Sequence, residues 1–334
     1  MSSSNPKSVL IAGPVSEDSF AENIVYTVRQ MGITAVYDKR LTQKRYTARW
    51  RKTWQELMQK GSQRYIPPQE RWLVKAAREH HPSLLLAPTQ VIHEETLSEI
   101  KRAGVRACVA WWGDAPGNMQ RFGLLSKEWD FIFMKDSDAV LKFRRIGLNA
   151  HLLHEAMNPA WHKPIATQVN EGIVVVGNFY GYRQFLVKEL LQRGVKLALY
   201  GGRLPLWVYP EIRRMHSRRY IVREEKSRIF GEAMACLNST QIIEGNSLNC
   251  RAFEIAGAAG LPLMEYKPII SECFEPGKEI LTFDSLDELM GHVERAGRFP
   301  AEMKKIREAA ARRAHSEHTY KHRLEKIFAK LHSA

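Results

Sequence analysis

The run GIVVVGNFYGYRQFLVKELLQRGVKLALYGG, residues 172–202, decides the fold class. GIVVVGNFY (Gly172–Tyr180) is an apolar stretch interrupted at Gly177, and VKLALYGG (Val195–Gly202) is a second one that ends on paired glycines. Arg183–Arg193 between them reads as a helix. Neither strand alternates apolar with polar residues, so each is expected to be buried on both faces. A strand, a helix and a second such strand is the unit of a parallel sheet.

The same rhythm runs outward in both directions. Towards the N-terminus stand SVLIAGP (Ser8–Pro14), a helix from Phe20 to Met31 stopped by Gly32, and ITAVYD (Ile33–Asp38). Ser16, followed by Glu17 and Asp18, offers that helix an N-cap. Residues 40–80 read as helical, with Trp50, Trp54, Leu57 and Met58 on one face. Then come LLLAPT (Leu84–Thr89), a helix over Glu94–Ala103, ACVAWW (Ala107–Trp112), FIFM (Phe131–Met134), a helix over Asp136–Ile146, and NAHLL (Asn149–Leu153). Towards the C-terminus follow ACLNST (Ala235–Thr240), a helix over Asn249–Ala259, LPLMEY (Leu261–Tyr266), EILTF (Glu279–Phe283) and further helices. Only PAWHKPIATQVNEG (Pro159–Gly172), polar and holding two prolines, breaks the pattern. The expectation is an α/β chain of two doubly wound, Rossmann-like parallel-sheet domains facing a cleft. Residues 1–160 form the first and 161–315 the second, and a C-terminal helix, 316–334, can cross back to the first.

Composition fits this picture and excludes others. The chain has 334 residues, enough for two cores, and no apolar run approaches the ~20 residues that span a bilayer. The start has neither the long apolar region nor the cleavage site of a secretory signal, which implies the cytoplasm, with peripheral membrane contact left open. Cys108, Cys236, Cys250 and Cys273 contain no CxxC pair and read as reduced, mostly buried thiols. The net charge of +14 is concentrated: residues 39–75 hold eleven Lys/Arg against two Glu, 203–228 eight against three, and 301–334 nine against four. Such a field favours anionic partners, although solvated helix faces explain many of these charges. Nothing in the sequence fixes the oligomeric state.

Two stretches carry chemistry. At Val174–Arg183 a buried strand ends at Gly177-Asn178 and a helix opens with Arg183 in its first turn. Backbone N–H groups and a cation thus stand at the sheet's carboxyl edge, where doubly wound folds bind ligands. The second stretch, IIEGNSLNCRAFEIAGAAGLPLMEYKPIISECFEPGKEILTFDSLDELMGHV (Ile242–Val293), leads a Gly/Asn/Ser loop into a helix expected to be capped near Asn249. Arg251 stands near its start and Glu254 one turn on; the arginine can hold a diphosphate and the carboxylate can accept from ribose hydroxyls. A capped helix with a surface Arg–Glu pair is the plain alternative.

The second stretch closely resembles the donor-binding half of the CgeB-like, spore-maturation-type glycosyltransferases, relatives of the retaining family 4 group with the GT-B fold. The matching residues are Asn249, Arg251, Phe253, Glu254, Gly260, Pro262, Tyr266, Pro268 and Phe274 to Gly277. They continue through Asp287-Glu288-Leu289, His318-Thr319-Tyr320 and His322-Arg323. More loosely, Pro88-Thr89-Gln90, Ala110–Asp114, Trp129-Asp130, Gly147 and Glu155-Ala156 fit the same pattern. The resemblance implies transfer of a sugar from a nucleotide-diphosphate-sugar donor, with retention at the anomeric carbon and no metal or other cofactor. It places Gly177, Asn178, Arg183, Tyr200, Gly201, Glu244, Asn246, Asn249, Arg251 and Glu254 around the donor, with Glu254 also in a catalytic role. Asp114 is the catalytic candidate of the N-terminal domain, and Gly13, Thr89, Gln90 and Trp112 are its acceptor-side candidates. Two positions depart from the pattern: Asn246 stands eight positions before Glu254, where the first of two glutamates separated by seven residues is usual and Glu244 is two residues off, and Asn158 replaces an Asp before Pro159.

The acceptor is not legible, whether protein, surface glycan or small molecule. Tyr46, Trp50, Trp54, Tyr65 and Trp72 among the basic residues 39–75 suit an anionic glycan, a membrane surface or single-stranded nucleic acid. A DNA-modifying transferase or nucleic-acid binder, and a scaffold with lost or altered activity, are therefore the competing readings.

Overall fold

The computed structural model describes residues 5–39, 57–58, 66–119, 123–166 and 168–333. The expected helical face at Trp50 and Trp54, and most of the basic stretch 39–75, lie outside them. The chain divides into two compact units, Met1–Leu153 with Leu324–Ala334, and His154–Arg323.

The first unit is built on a six-stranded sheet, all parallel, in the order β2-β1-β3-β4-β5-β6: β1 Ser8–Ile11, β2 Thr34–Tyr37, β3 Leu84–Pro88, β4 Ala107–Trp112, β5 Phe131–Met134 and β6 Ala150–Leu152. Its central strands are buried throughout because both faces are covered, which is why their sequences lack alternation. The order reverses at β1, so β1 and β3 part their connections there. Helix α1 (Phe20–Gln30) begins at the residue the sequence suggests, but its cap differs. Ser19, and not Ser16, is its cap: Ser19 Oγ accepts from Glu22 N at 3.1 Å while Glu22 Oε2 accepts from Asp18 N at 2.6 Å. That reciprocal pair satisfies two N–H groups, and the alternative at Ser16 offers no glutamate in step with it. The other helices described in this unit are α2 (Pro68–His80), α3 (Glu94–Arg102) and α4 (Ser137–Arg145), the last capped by Asp136.

The second unit holds five parallel strands in the order β11-β10-β9-β7-β8: β7 Asn170–Val176, β8 Leu197–Tyr200, β9 Ala233–Leu237, β10 Pro262–Glu265 and β11 Leu281–Phe283. Its reversal lies at β7. Strand β9 ends at Leu237, so Asn238–Thr240 is not strand as the sequence suggests but a buried polar loop at the carboxyl edge. The helices are α5 (Gly181–Gln192), α6 (Pro210–Met215), α7 (Arg223–Glu232), α8 (Cys250–Gly257), α9 (Ile270–Cys273), α10 (Leu286–Arg298) and α11 (Pro300–Glu317). Helix α12 (Tyr320–His332) follows.

Two arginines from the end of the chain bind the second unit together. Arg307 on α11 is buried and donates to the carbonyls of Ala233 at 2.5 Å, Met234 at 2.7 Å and Gly231 at 3.2 Å, at the end of α7 where helical carbonyls lack partners. Arg323 is also buried. Its Nε donates to the carbonyls of His154 and Glu155, each at 3.1 Å, and its Nη1 to that of Glu317 at 3.0 Å. Its Nη2 lies 2.9 Å from His318 Nδ1, and His318 Nε2 is 2.8 Å from the Cys273 carbonyl. A carbonyl can only accept, so His318 is the neutral tautomer with its proton on Nε2. In the pattern His318-Thr319-Tyr320 with Arg323, the pair His318 and Arg323 is thus a structural clasp. All four cysteines are free, and burial pushes the thiols of Cys108 and Cys236 up to about 12. No helix among the described residues is long and apolar enough to cross a membrane.

Candidate functional site

At the carboxyl edge of the second sheet, β7 and β9 diverge and their loops are joined by Arg183. Its Nε donates to Ser239 Oγ at 3.0 Å, its Nη2 to the Ser239 carbonyl, and its Nη1 to the Asn178 carbonyl at 2.7 Å. Arg183 follows the strand by one turn because α5 begins at Gly181, and the side chain reaches back across the strand ends. Burial, then the like charge of Arg251, pushes its pKa down to about 10.

Gly177 lies between these two cations. Its φ is +125°, and a Cβ there would stand 2.8 Å from Nη1 of Arg251 and 2.9 Å from Nη1 of Arg183. Glycine is required on both counts. On the neighbouring strand, a Cβ on Gly201 would meet the Gly177 carbonyl oxygen at 2.2 Å, and Gly177 N donates to the Tyr200 carbonyl at 2.9 Å. Tyr200 and Gly201 therefore clamp the β7 loop to β8. Gly177→Ala is expected to cost about 1–3 kcal/mol of stability. It should also displace Arg251, the less tethered guanidinium, so that nucleotide affinity falls further than the melting temperature suggests. A variant with unchanged melting temperature and binding would contradict the close packing described.

Helix α8 presents Arg251 and Glu254 three residues apart, on one face. Arg251 is half-buried, and its Nε is buried without a hydrogen bond among the described residues. Burial works to lower its pKa, but the Glu254 carboxylate, together with Cys250, Tyr220 and Tyr180, holds it above the usual value. Glu254 is buried. Its Oε1 lies 2.8 Å from Lys226 Nζ and 3.8 Å from His162 Nε2, while Oε2 makes no hydrogen bond among the described residues. Burial would raise this carboxyl, yet the positive charges of Lys226, His162 and Arg251 win and hold it down at about 2. One oxygen is anchored and the other is an unsatisfied acceptor. A buried donor and a buried acceptor left open side by side are what a polar ligand would satisfy.

The remaining donor-side residues serve the loop 238–249. Asn249 does not cap α8 with its side chain, which instead pairs reciprocally with Asn238 at 2.9 and 3.2 Å. The Cys250 N–H is taken by Glu155 Oε2 at 3.0 Å, so the positive centre of this edge is the arginine pair and not that first N–H. Asn246 Oδ1 accepts from Ile269 N at 2.9 Å. The carbonyls of Glu244 and Gly245 accept from Lys267 Nζ at 3.0 and 2.9 Å, and the same nitrogen donates to Thr240 Oγ1 at 2.8 Å. Glu155, Lys226, Ser239 and Lys267 are absent from the sequence-derived donor set. Each acts on partners at least 22 positions away, a separation that leaves no local signal.

In the first unit, Gly13, Thr89 and Gln90 meet at the reversal between β1 and β3. Gly13 has φ +120°, a Cβ there would lie 3.2 Å from Gln90 Cγ, and Thr89 takes a left-handed φ of +50°. Thr89 Oγ1 accepts from Gly113 N at 3.2 Å. Trp112 is buried in the core of this unit, with its Nε1 donating to the Ala115 carbonyl at 3.3 Å. Asp114 Oδ1 accepts from Ala115 N at 2.8 Å and Asn118 Nδ2 at 2.9 Å, the bonding of a turn residue.

With this geometry in view, comparison with known proteins is informative. Residues 183–329 match a family model described as glycosyl transferase-like. Anabaena HepE, solved in complex with UDP-glucose, superposes with a TM-score of 0.66 at 12% identity, covering 98% of this chain and 100% of that one. The chain has the GT-B fold. Sucrose-phosphate synthase from Thermosynechococcus elongatus gives a TM-score of 0.65 at 11% identity over 98% of both chains. The lipopolysaccharide outer core galactosyltransferase WaaB gives 0.58 at 10% identity, over 98% of this chain and 99% of its own. At these identities the likeness is one of fold. No curated protein matches in sequence. The matched segment begins at Arg183 and includes Lys226, Arg251, Glu254 and Lys267.

Proposed function

We propose that the chain is a glycosyltransferase that takes a sugar from a nucleoside-diphosphate donor held at the carboxyl edge of the second sheet. The observation that carries this reading is the open pair on α8. Arg251 Nε and Glu254 Oε2 are buried without hydrogen bonds among the described residues, beside a glycine that leaves room for two guanidiniums. In this reading Arg251, supported by Arg183, binds the diphosphate, and Glu254 accepts from a ribose hydroxyl while Lys226 fixes its other oxygen. As the bond from the anomeric carbon to the diphosphate breaks, charge gathers on the departing oxygens, and cations already in place stabilise it. No metal is required, and configuration is retained. The narrower kinship with the CgeB-like enzymes belongs to the same proposal, on the pattern from Asn249 to Arg323. The acceptor would be taken up by the first unit near Gly13, Thr89 and Gln90.

UDP-glucose bound to a relative of the same fold makes uridine diphosphate the first ligand to test. Expected is a rise in melting temperature with one nucleoside diphosphate among the uridine, guanosine, thymidine and cytidine series, and slow hydrolysis of the matching nucleotide sugar in chelator. A flat response to all four would remove the reading. Transfer of labelled sugar onto DNA alone would favour the DNA-modifying alternative.

A further inference from the structure

The crossover from β8 to α6 and on to α7 has no part in the donor reading, and its surface is unusual. Of the fifteen exposed large hydrophobic residues among those described, five lie between positions 206 and 220. Leu206 is 85% exposed and Trp207 65%. This is not a frayed segment. The next residue inward, Val208, and Ile212 are buried in the core of the second unit. Arg213 Nη2 donates to the Leu206 carbonyl at 2.8 Å, and Tyr209 N donates to the buried Gln184 side chain at 3.1 Å. The chain is held from inside and behind while two of the most apolar side chains stand in solvent.

Their neighbours are cationic. Arg203, Arg214 and Arg218 are exposed and make no ion pair among the described residues, and Glu211 is the only acid between positions 203 and 221. Exposed surface of this sort costs free energy in water unless something covers it. An exposed leucine and tryptophan on a short segment that also holds three exposed arginines without ion pairs among the described residues match a lipid interface. There the indole sits at headgroup level, the aliphatic tip enters the acyl boundary, and arginines contact acidic headgroups.

We propose that residues 203–220 dock the protein onto an anionic membrane surface, with Leu206 and Trp207 inserted and Arg203, Arg214 and Arg218 on the headgroups. The contact is peripheral and reversible, and it does not depend on the donor assignment. The test is flotation of the full chain with vesicles of phosphatidylcholine alone, or equimolar with phosphatidylglycerol. Binding is expected only to the mixed vesicles, weakening with salt. Leu206→Ser with Trp207→Ser should weaken it about tenfold. Reversing Arg203, Arg214 and Arg218 to Glu should weaken it by at least about tenfold. Both variants change exposed side chains, so an unchanged melting temperature confirms folding. Mixed-vesicle binding equal to wild type in the Ser variant would place any lipid contact elsewhere and overturn the proposal. So would equal binding to uncharged vesicles, or no vesicle binding at all.

Discussion

Arg251→Ala is expected to abolish the thermal shift given by the nucleoside diphosphate and to lower kcat for sugar transfer by about 10²–10³-fold. Arg251 is the cation at the carboxyl edge whose donors are not already spent. Arg183 beside it uses Nε, Nη1 and Nη2 on Ser239 and Asn178, so it contributes charge and holds the loops but has little left for a new partner. The two arginines therefore separate by phenotype. Arg183→Ala should lower stability first, because it leaves the buried Ser239 hydroxyl and two carbonyls without their donor. Arg251→Ala should cost less stability, since its Nε had no hydrogen-bond partner among the described residues and the buried Glu254 carboxylate keeps Lys226 and His162 beside it. Arg251→Lys should recover only part of the binding, a point charge replacing a planar fork. Titration calorimetry with the diphosphate and a melting curve on each variant decide the matter. Full nucleotide affinity in Arg251→Ala would refute the donor site as assigned.

The second large effect is a loss of stability in mild acid. His318 is buried neutral, held by the Cys273 carbonyl on one nitrogen and Arg323 on the other. Burial, then the Arg323 charge, pushes its pKa down to about 3 from an ordinary 6.5. The unfolded chain takes up that proton and the folded chain does not. The stability tied to the neutral ring is therefore complete above pH 6.5 and drains away as pH falls towards 3, at about 1.4 kcal/mol per pH unit. Denaturant unfolding of wild type and His318→Gln across pH 7 to 4.5 isolates this slope, because carboxylates titrate alike in both. The variant is expected to be less stable at pH 7 but flatter with pH. Parallel slopes would show that the ring titrates freely in the folded protein.

What could be read without coordinates follows from how local each signal is. Strands β7 and β8 and the helix between them are written in consecutive apolar residues, and the glycines at 177 and 201 mark the strand ends where the backbones touch. Arg251 and Glu254 share a helix face by spacing alone. The cap of α1 was misplaced because Ser16 with two acids is as good a local pattern as Ser19 with Glu22, and only the reciprocal bond between the latter two distinguishes them. Asn238–Thr240 looked like strand because it continues an apolar run. The structure bends it away to meet Arg183 and Lys267, whose sequence positions lie 56 and 27 residues from the groups they bind. Nothing in the chain announces that Lys226 will neutralise Glu254, since both are ordinary helix residues until α7 and α8 are packed together.

The clasp at Arg323 also sets a timetable. Glu155 offers its carbonyl to Arg323 and its carboxylate to the first N–H of the arginine-bearing helix, so the geometry at Cys250 leans on a residue made more than seventy positions later. As the polypeptide leaves the ribosome, the second sheet can assemble while the mooring of that helix is still inside the tunnel. The carboxyl edge that carries Arg251 would then gain its final form only after synthesis has passed Arg323, and a nascent chain paused before that point would be folded in outline without it.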